Sequence, residues 1–130
     1  MLAAHNVYRR QIGTPPLEWS TRLAATAQSW ANELVQTAVL KHRSDLQVGE
    51  NLFEAVGRPA DVRQVVDSWA AERSAYHPET NSCSGRCGHY TQIIWRDTKR
   101  VGCGVAREGR REIWVCNYDP PGNIIGERPY

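Results

Sequence analysis

The stretch Gly88-His89-Tyr90-Thr91-Gln92-Ile93-Ile94-Trp95 alternates, with His89, Thr91, Ile93 and Trp95 on one side and Tyr90, Gln92 and Ile94 on the other. A period of two in β-branched and aromatic residues predicts a strand. A cysteine-bearing loop precedes it. Two further strand-like runs follow, Arg100–Ala106 and Arg111–Tyr118, joined by Glu108-Gly109-Arg110. His89 falls at the mouth of the first strand, just after a glycine, where a functional site can sit. The plainer reading is a histidine satisfied by structural hydrogen bonds.

A chain of 130 residues suits one domain with a core of its own. Charged residues at 23% and hydrophobic residues at 41% are globular values, so a disordered or fibrous chain is not expected. The net charge is +2 with the arginines scattered, so no basic stripe points to nucleic acid. No apolar run reaches membrane-spanning length. Met1-Leu2-Ala3-Ala4-His5-Asn6 has neither the basic start nor the apolar middle of a signal peptide. Either the protein is cytosolic, or residues 1–130 are a mature domain whose leader has been removed.

The cysteines decide between these. Cys83 and Cys87 flank a short polar loop, Ser84-Gly85-Arg86. A hairpin about Gly109 places Cys103 opposite position 115 or 116, within reach of Cys116 for a cross-strand disulfide. Closing that loop stabilises by roughly 3 kcal/mol in chain entropy. A four-cysteine zinc site is the rival, but the second half lacks its short paired spacings. Two disulfides, Cys83–Cys87 and Cys103–Cys116, imply an oxidising compartment and a secreted domain.

Before the cysteines the chain reads as helical. Met1–Gln11 carries Leu2, His5, Tyr8 and Ile12 along one stripe, and Gly13-Thr14-Pro15-Pro16 ends it. Ser20 is an N-cap for a helix from Thr21 to about Thr37, with Leu23, Ala24, Ala27, Trp30, Ala31 and Leu34 on its buried face. Residues 38–53 have weak periodicity and read as irregular, with His42 an exposed loop residue and Glu50 a turn residue. Pro59 suits the first turn of a third helix, on which Val62, Val65, Val66, Trp69 and Ala70 face inward. Glu72 falls on that apolar stripe, where a carboxylate requires a partner. The tail from Asp119 to Tyr130 is too rich in Pro and Gly for regular structure. Helices followed by antiparallel strands argue for an α+β fold.

Gly88-His89-Tyr90-Thr91-Gln92-Ile93-Ile94-Trp95-Arg96-Asp97-Thr98 resembles the first signature of the CAP superfamily, and Ile113-Trp114-Val115-Cys116-Asn117-Tyr118-Asp119-Pro120-Pro121-Gly122-Asn123-Ile124 the second. These are the cysteine-rich secretory, antigen-five and class-one pathogenesis-related proteins. Ala4-His5-Asn6-Val7-Tyr8-Arg9, Pro16-Leu17-Glu18-Trp19 and Gly49-Glu50-Asn51-Leu52 are similar to its other blocks. The closing Gly126-Glu127-Arg128-Pro129-Tyr130 resembles the plant-type branch.

The resemblance implies a three-layer α-β-α sandwich around a central antiparallel sheet. It also implies a cleft with two histidines and two glutamates, here His42, Glu50, Glu72 and His89. Such a set suits a divalent ion, zinc foremost, with the imidazoles as ligands and the carboxylates orienting them. The chain departs from the plant-type pattern in two places. A third disulfide, near Ala38 and Arg107, is absent, which predicts a loosely pinned segment before His42. Arg43 stands where the family commonly has serine.

The resemblance further implies a monomeric secreted module that binds a sterol or fatty acid. An alternative is a hydrolase in which Glu50 or Glu72 acts as base on metal-activated water. No Gly-x-Ser-x-Gly elbow or His-Glu-x-x-His helix supports it. A further alternative is a precursor whose residues 120–130 are released as a signalling peptide.

Overall fold

In the computed structural model, which describes residues 1–130, each helix ends where its sequence supplies a reason. Helix α1, Leu2–Ile12, stops at Gly13, whose left-handed conformation (φ 83°) lets its N–H bond Arg9 O. Helix α2, Thr21–Leu34, begins at Ser20, whose side chain accepts from Leu23 N. It ends before the expected Thr37. Helix α3, Val62–Ala70, starts at a capping box made by Asp61 and Gln64, so Pro59 lies ahead of it rather than in its first turn. A 3₁₀ turn, Ala71–Ala75, follows and carries Glu72.

The strands are β1 (Glu18–Trp19), β2 (Gly49–Val56), β3 (Tyr76–His77), β4 (Ser82–Cys83), β5 (Arg100–Glu108) and β6 (Arg111–Asp119). The main sheet runs β1-β5-β6-β2, and β3-β4 form a separate pair. The β5–β6 hairpin turns at Gly109 (φ 60°) and sets Cys103 opposite Cys116, which are disulfide-bonded. Cys83 and Cys87 form the second bridge. The sheet is antiparallel except at its edge, where the two residues of β1 pair parallel to β5.

Alternation in β2 and β6 divides the core into two. Leu52, Ile113 and Val115 face α2, packing with Ala27, Ala31 and Leu34. Cys116 and Tyr118 face the opposite layer, with Val65, Val66, Trp69, Tyr90, Ile93 and Ile94. Each fully buried aliphatic side chain contributes about 1.5–3 kcal/mol. The result is the expected α-β-α sandwich, with α2 on one face and α1, α3 and a fourth helix on the other.

Two element assignments from the sequence are overturned. Gly88–Trp95 is not a strand: Gly88–Ile94 forms α4, with Tyr90 through Ile94 all buried. A segment buried all round leaves no amphipathic trace, so alternating polarity there carries no information about period. Distant side chains complete its ends. Glu72 Oε1 accepts from His89 N (2.9 Å) and Tyr90 N (3.4 Å), while Arg9 donates to Ile93 O (3.0 Å) and Trp95 O (2.7 Å). Tertiary contacts override the local strand preference. The second correction concerns residues 38–53, which are not irregular throughout, because β2 begins at Gly49 and pairs antiparallel with β6.

The segment before His42 is also tied more firmly than the missing bridge predicts. Arg111 donates from Nη1 to Leu34 O (2.9 Å) and Thr37 O, and from Nη2 to Val39 O (3.1 Å).

Candidate functional site

Edge strand β2 supplies the middle of the site. Successive residues of a strand point to opposite faces. Glu50 therefore shares the α2 face with Leu52, while Asn51 turns toward Tyr118, donating to its hydroxyl (3.2 Å) and to His89 O (3.1 Å). Each half of the sandwich contributes one His–Glu pair at this end of the sheet.

On the α2 side, His42 Nδ1 meets Glu50 Oε1 at 2.8 Å, and Arg43 N donates to the same oxygen at 3.0 Å. The imidazole is 65% exposed and the carboxylate 7%. The hydrogen bond to Glu50 raises the His42 pKa above its ordinary value, against a smaller opposing effect of burial. Glu50 Oε2 is buried with no partner, as is Oδ1 of Asn117, its direct neighbour across β6. Trp30 Nε1 donates to Lys41 O (3.1 Å) and stacks under the Arg43 guanidinium (5.7 Å), holding the loop from below.

On the other side, His89 Nδ1 meets Glu72 Oε2 at 2.7 Å, with the pair only 20% and 15% exposed. The imidazole stacks on Trp69 (6.1 Å, 23°), whose Nε1 donates to Leu52 O. His89 is thus carried by the first turn of a helix, not by a strand edge. Beneath it a buried polar chain leads inward. Tyr118 Oη accepts from Asn51, and His5 Nε2 lies 2.7 Å from that hydroxyl while its Nδ1 lies 2.9 Å from Met1 O. Burial holds His5 neutral, lowering its pKa to about 4. A neutral ring with its proton on Nδ1 satisfies every member of this chain.

His42, Glu50 and His89 line one cavity of about 500 Å³, with Leu40, Asn51, Arg86 and Asn123 among its other walls. Glu72 stands behind His89 rather than in the wall. Of these residues Asn51, Arg86 and Asn123 escaped the sequence reading. Asn51 and Asn123 stand in the quoted blocks, whereas nothing local marks Arg86.

A divalent ion here would meet two imidazoles already oriented through Nδ1, with neither Nε2 bonded to a protein group. That is the arrangement in which carboxylates fix the tautomer and direction of metal-binding histidines. No three His, Cys, Asp or Glu side chains converge tightly enough to enclose an ion by themselves. An ion held by the two imidazoles would need water or a bound ligand for the rest of its coordination.

Comparison with known proteins agrees with the fold and the order of the motifs. The CAP family, described as the cysteine-rich secretory protein family, matches residues 2–118. The chain is 44% identical over 128 residues to pathogenesis-related protein 1 of Arabidopsis thaliana, covering 98% of this chain and 78% of that protein. It is 42% identical over 130 residues to a PR-1 type pathogenesis-related protein of Sambucus nigra, with coverage of 98% and 78%. Among solved structures, Schistosoma mansoni venom allergen-like protein 4 superposes with a TM-score of 0.78 at 26% identity, covering 99% of this chain and 90% of that one. The crystal structure of NaASP2 with Zn2+ has the same fold, with a TM-score of 0.81 at 22% identity and coverage of 99% and 82%. Motif order, sandwich architecture and near-complete alignment agree, and the chain belongs to the CAP family of cysteine-rich secretory proteins.

Proposed function

We propose that this protein is a secreted defence-type binding module whose cleft takes up a divalent ion, zinc foremost, through His42 and His89. Glu50 and Glu72 orient the two imidazoles. One observation carries the reading: both rings are anchored through Nδ1 to a carboxylate, and both line the same cavity. The unpartnered Glu50 Oε2 adds a second acceptor beside it. Zinc titrated into metal-free protein by calorimetry should bind saturably, and His89→Ala should bind it more weakly. Equal uptake by the two proteins would sink the proposal.

An apolar ligand is favoured by a separate feature. A groove of about 390 Å³ between α1 and α3 is lined by Met1, Ala3, Ala4, Val7, Tyr8 and Val62. Its volume lies in the range of small-molecule sites. Arg63 and Asp67 stand at its polar end, where Asp67 accepts from Tyr8 Oη. This suits the tail and head of a sterol or fatty acid. Labelled cholesterol and palmitate should bind wild-type protein and be excluded by Val7→Trp; no saturable binding of either rejects the reading.

Hydrolysis is less well supported. Both oxygens of Glu72 are bonded to His89 and its backbone, and Glu50 Oε1 serves His42 and Arg43. Glu72 therefore has no oxygen free to take a proton from water, and Glu50 has only the buried Oε2. Release of residues 120–130 is opposed by the contacts of the tail. Asn123 bonds Thr91 and Gly88, Asn81 bonds Glu127 O, Arg128 bonds Pro78 O, and Arg96 N bonds Pro129 O.

A further inference from the structure

Between the end of α2 at Leu34 and the start of β2 at Gly49 the chain has no helix or strand. Val39 and Leu40 are exposed there, so apolar burial does little to anchor it. Yet this segment carries His42, which must stand within hydrogen-bond reach of Glu50. Helix α2 also has no basic residue in its last turn to meet its final carbonyls.

Arg111, the first residue of β6, supplies a cation at that helix end and a tie from the segment to the sheet. Its Nε donates to Glu54 Oε2 at 2.6 Å, which fixes the guanidinium against edge strand β2. The remaining donors gather the carbonyls of Leu34, Thr37 and Val39. Thr37 also bonds Leu34 O, through its N–H and Oγ1, and its Oγ1 lies 3.0 Å from Val39 O. Arg111 adds the link from these carbonyls to the sheet, and so sets the direction in which the chain leaves α2, three residues before His42. The next anchors lie on either side of that histidine: Trp30 on Lys41 O and Glu50 on Arg43 N.

We propose that Arg111 is a positioning residue of the cleft, fixing the exit of the chain from α2 so that the His42 imidazole meets Glu50. The claim rests on the metal-binding reading above only for its functional readout. A lysine cannot replace this arginine, because a point charge does not span three carbonyls and a carboxylate at once.

The test combines zinc titration with amide hydrogen exchange, on Arg111→Ala and Arg111→Lys, each alone and with His42→Ala. Arg111→Ala should weaken zinc about tenfold, in line with the loss of an outer-shell support. Arg111→Lys should weaken it by less, and neither should change zinc binding once His42 is gone. In metal-free protein, exchange of the Arg43 amide, which donates to Glu50 Oε1, should rise in both variants. Equal weakening with and without His42 makes Arg111 a general stabiliser and overturns the proposal. Unchanged exchange of the Arg43 amide in metal-free protein overturns it too. If wild-type protein binds no zinc, the metal reading falls and exchange alone decides the role of Arg111. Arg111→Lys retains the charge and serves for both measurements if the alanine variant fails to fold.

Discussion

Glu72 serves two structures with one carboxylate. Oε1 completes the start of α4 and Oε2 fixes the His89 ring. An amide in its place offers one oxygen and cannot accept from both. If zinc binds as proposed, Glu72→Gln should lower its affinity 10- to 100-fold, the usual effect of losing an outer-shell carboxylate. It should also reduce stability by about 1–3 kcal/mol in urea denaturation. His5 yields a pH prediction. Its folded pKa of about 4 lies below its ordinary value of 6.5. Below pH 6.5 the unfolded chain takes up a proton that the folded one refuses. Stability thus falls as pH drops from 6.5 toward 4, by up to roughly 3 kcal/mol. His42 acts in the opposite sense, since its raised pKa favours the folded state at low pH, but its exposure to solvent keeps the effect small. Urea midpoints measured across this range should fall in wild-type protein and slope less in His5→Gln.

At the scale of elements, β5 shows how closely α2 lies on the sheet. A Cβ on Gly102 would stand 2.2 Å from Ala24 N and 2.5 Å from Ser20 O. Both are backbone atoms of the helix or its cap and cannot turn aside. Gly102→Ala should lower stability by about 3 kcal/mol, and a smaller loss in urea denaturation would show that α2 can shift. The β5–β6 hairpin was legible because its alternation and its turn glycine agree. Helix α4 was not, since its ends depend on Arg9 and Glu72, residues far away in the chain. Strand β2 was hidden by Glu50, Asn51 and Glu54, whose polarity reflects cleft and salt-bridge duties rather than a loop. Glu72 alone stood out locally, as a carboxylate on an apolar stripe. His42 and Glu50 had no such signal and became visible only through the family resemblance.

At the scale of the molecule, the protein is a secreted member of a cysteine-rich family, and its two disulfides suit that setting. No helix is long and apolar enough to cross a membrane. The bridges differ in the loops they close, with sequence separations of 13 and 4 residues. Removing Cys103 and Cys116 together should lower stability by roughly 3 kcal/mol, and removing Cys83 and Cys87 by roughly 2 kcal/mol. Denaturation of the two double-alanine variants should rank them in that order.

The sheet that divides the interior also makes its two sides thermodynamic strangers. The apolar side chains packed against α2 form one cluster and those packed against α1, α3 and α4 another. Leu34→Ala and Val65→Ala, one on each side, should sum to within about 0.5 kcal/mol when combined. Val65→Ala with Ile93→Val, both in the larger cluster, should not. Each side can then drift or be redesigned without retuning the other. At the β2 edge the two sides meet, because there Glu50 and Asn51 turn opposite ways into one cleft.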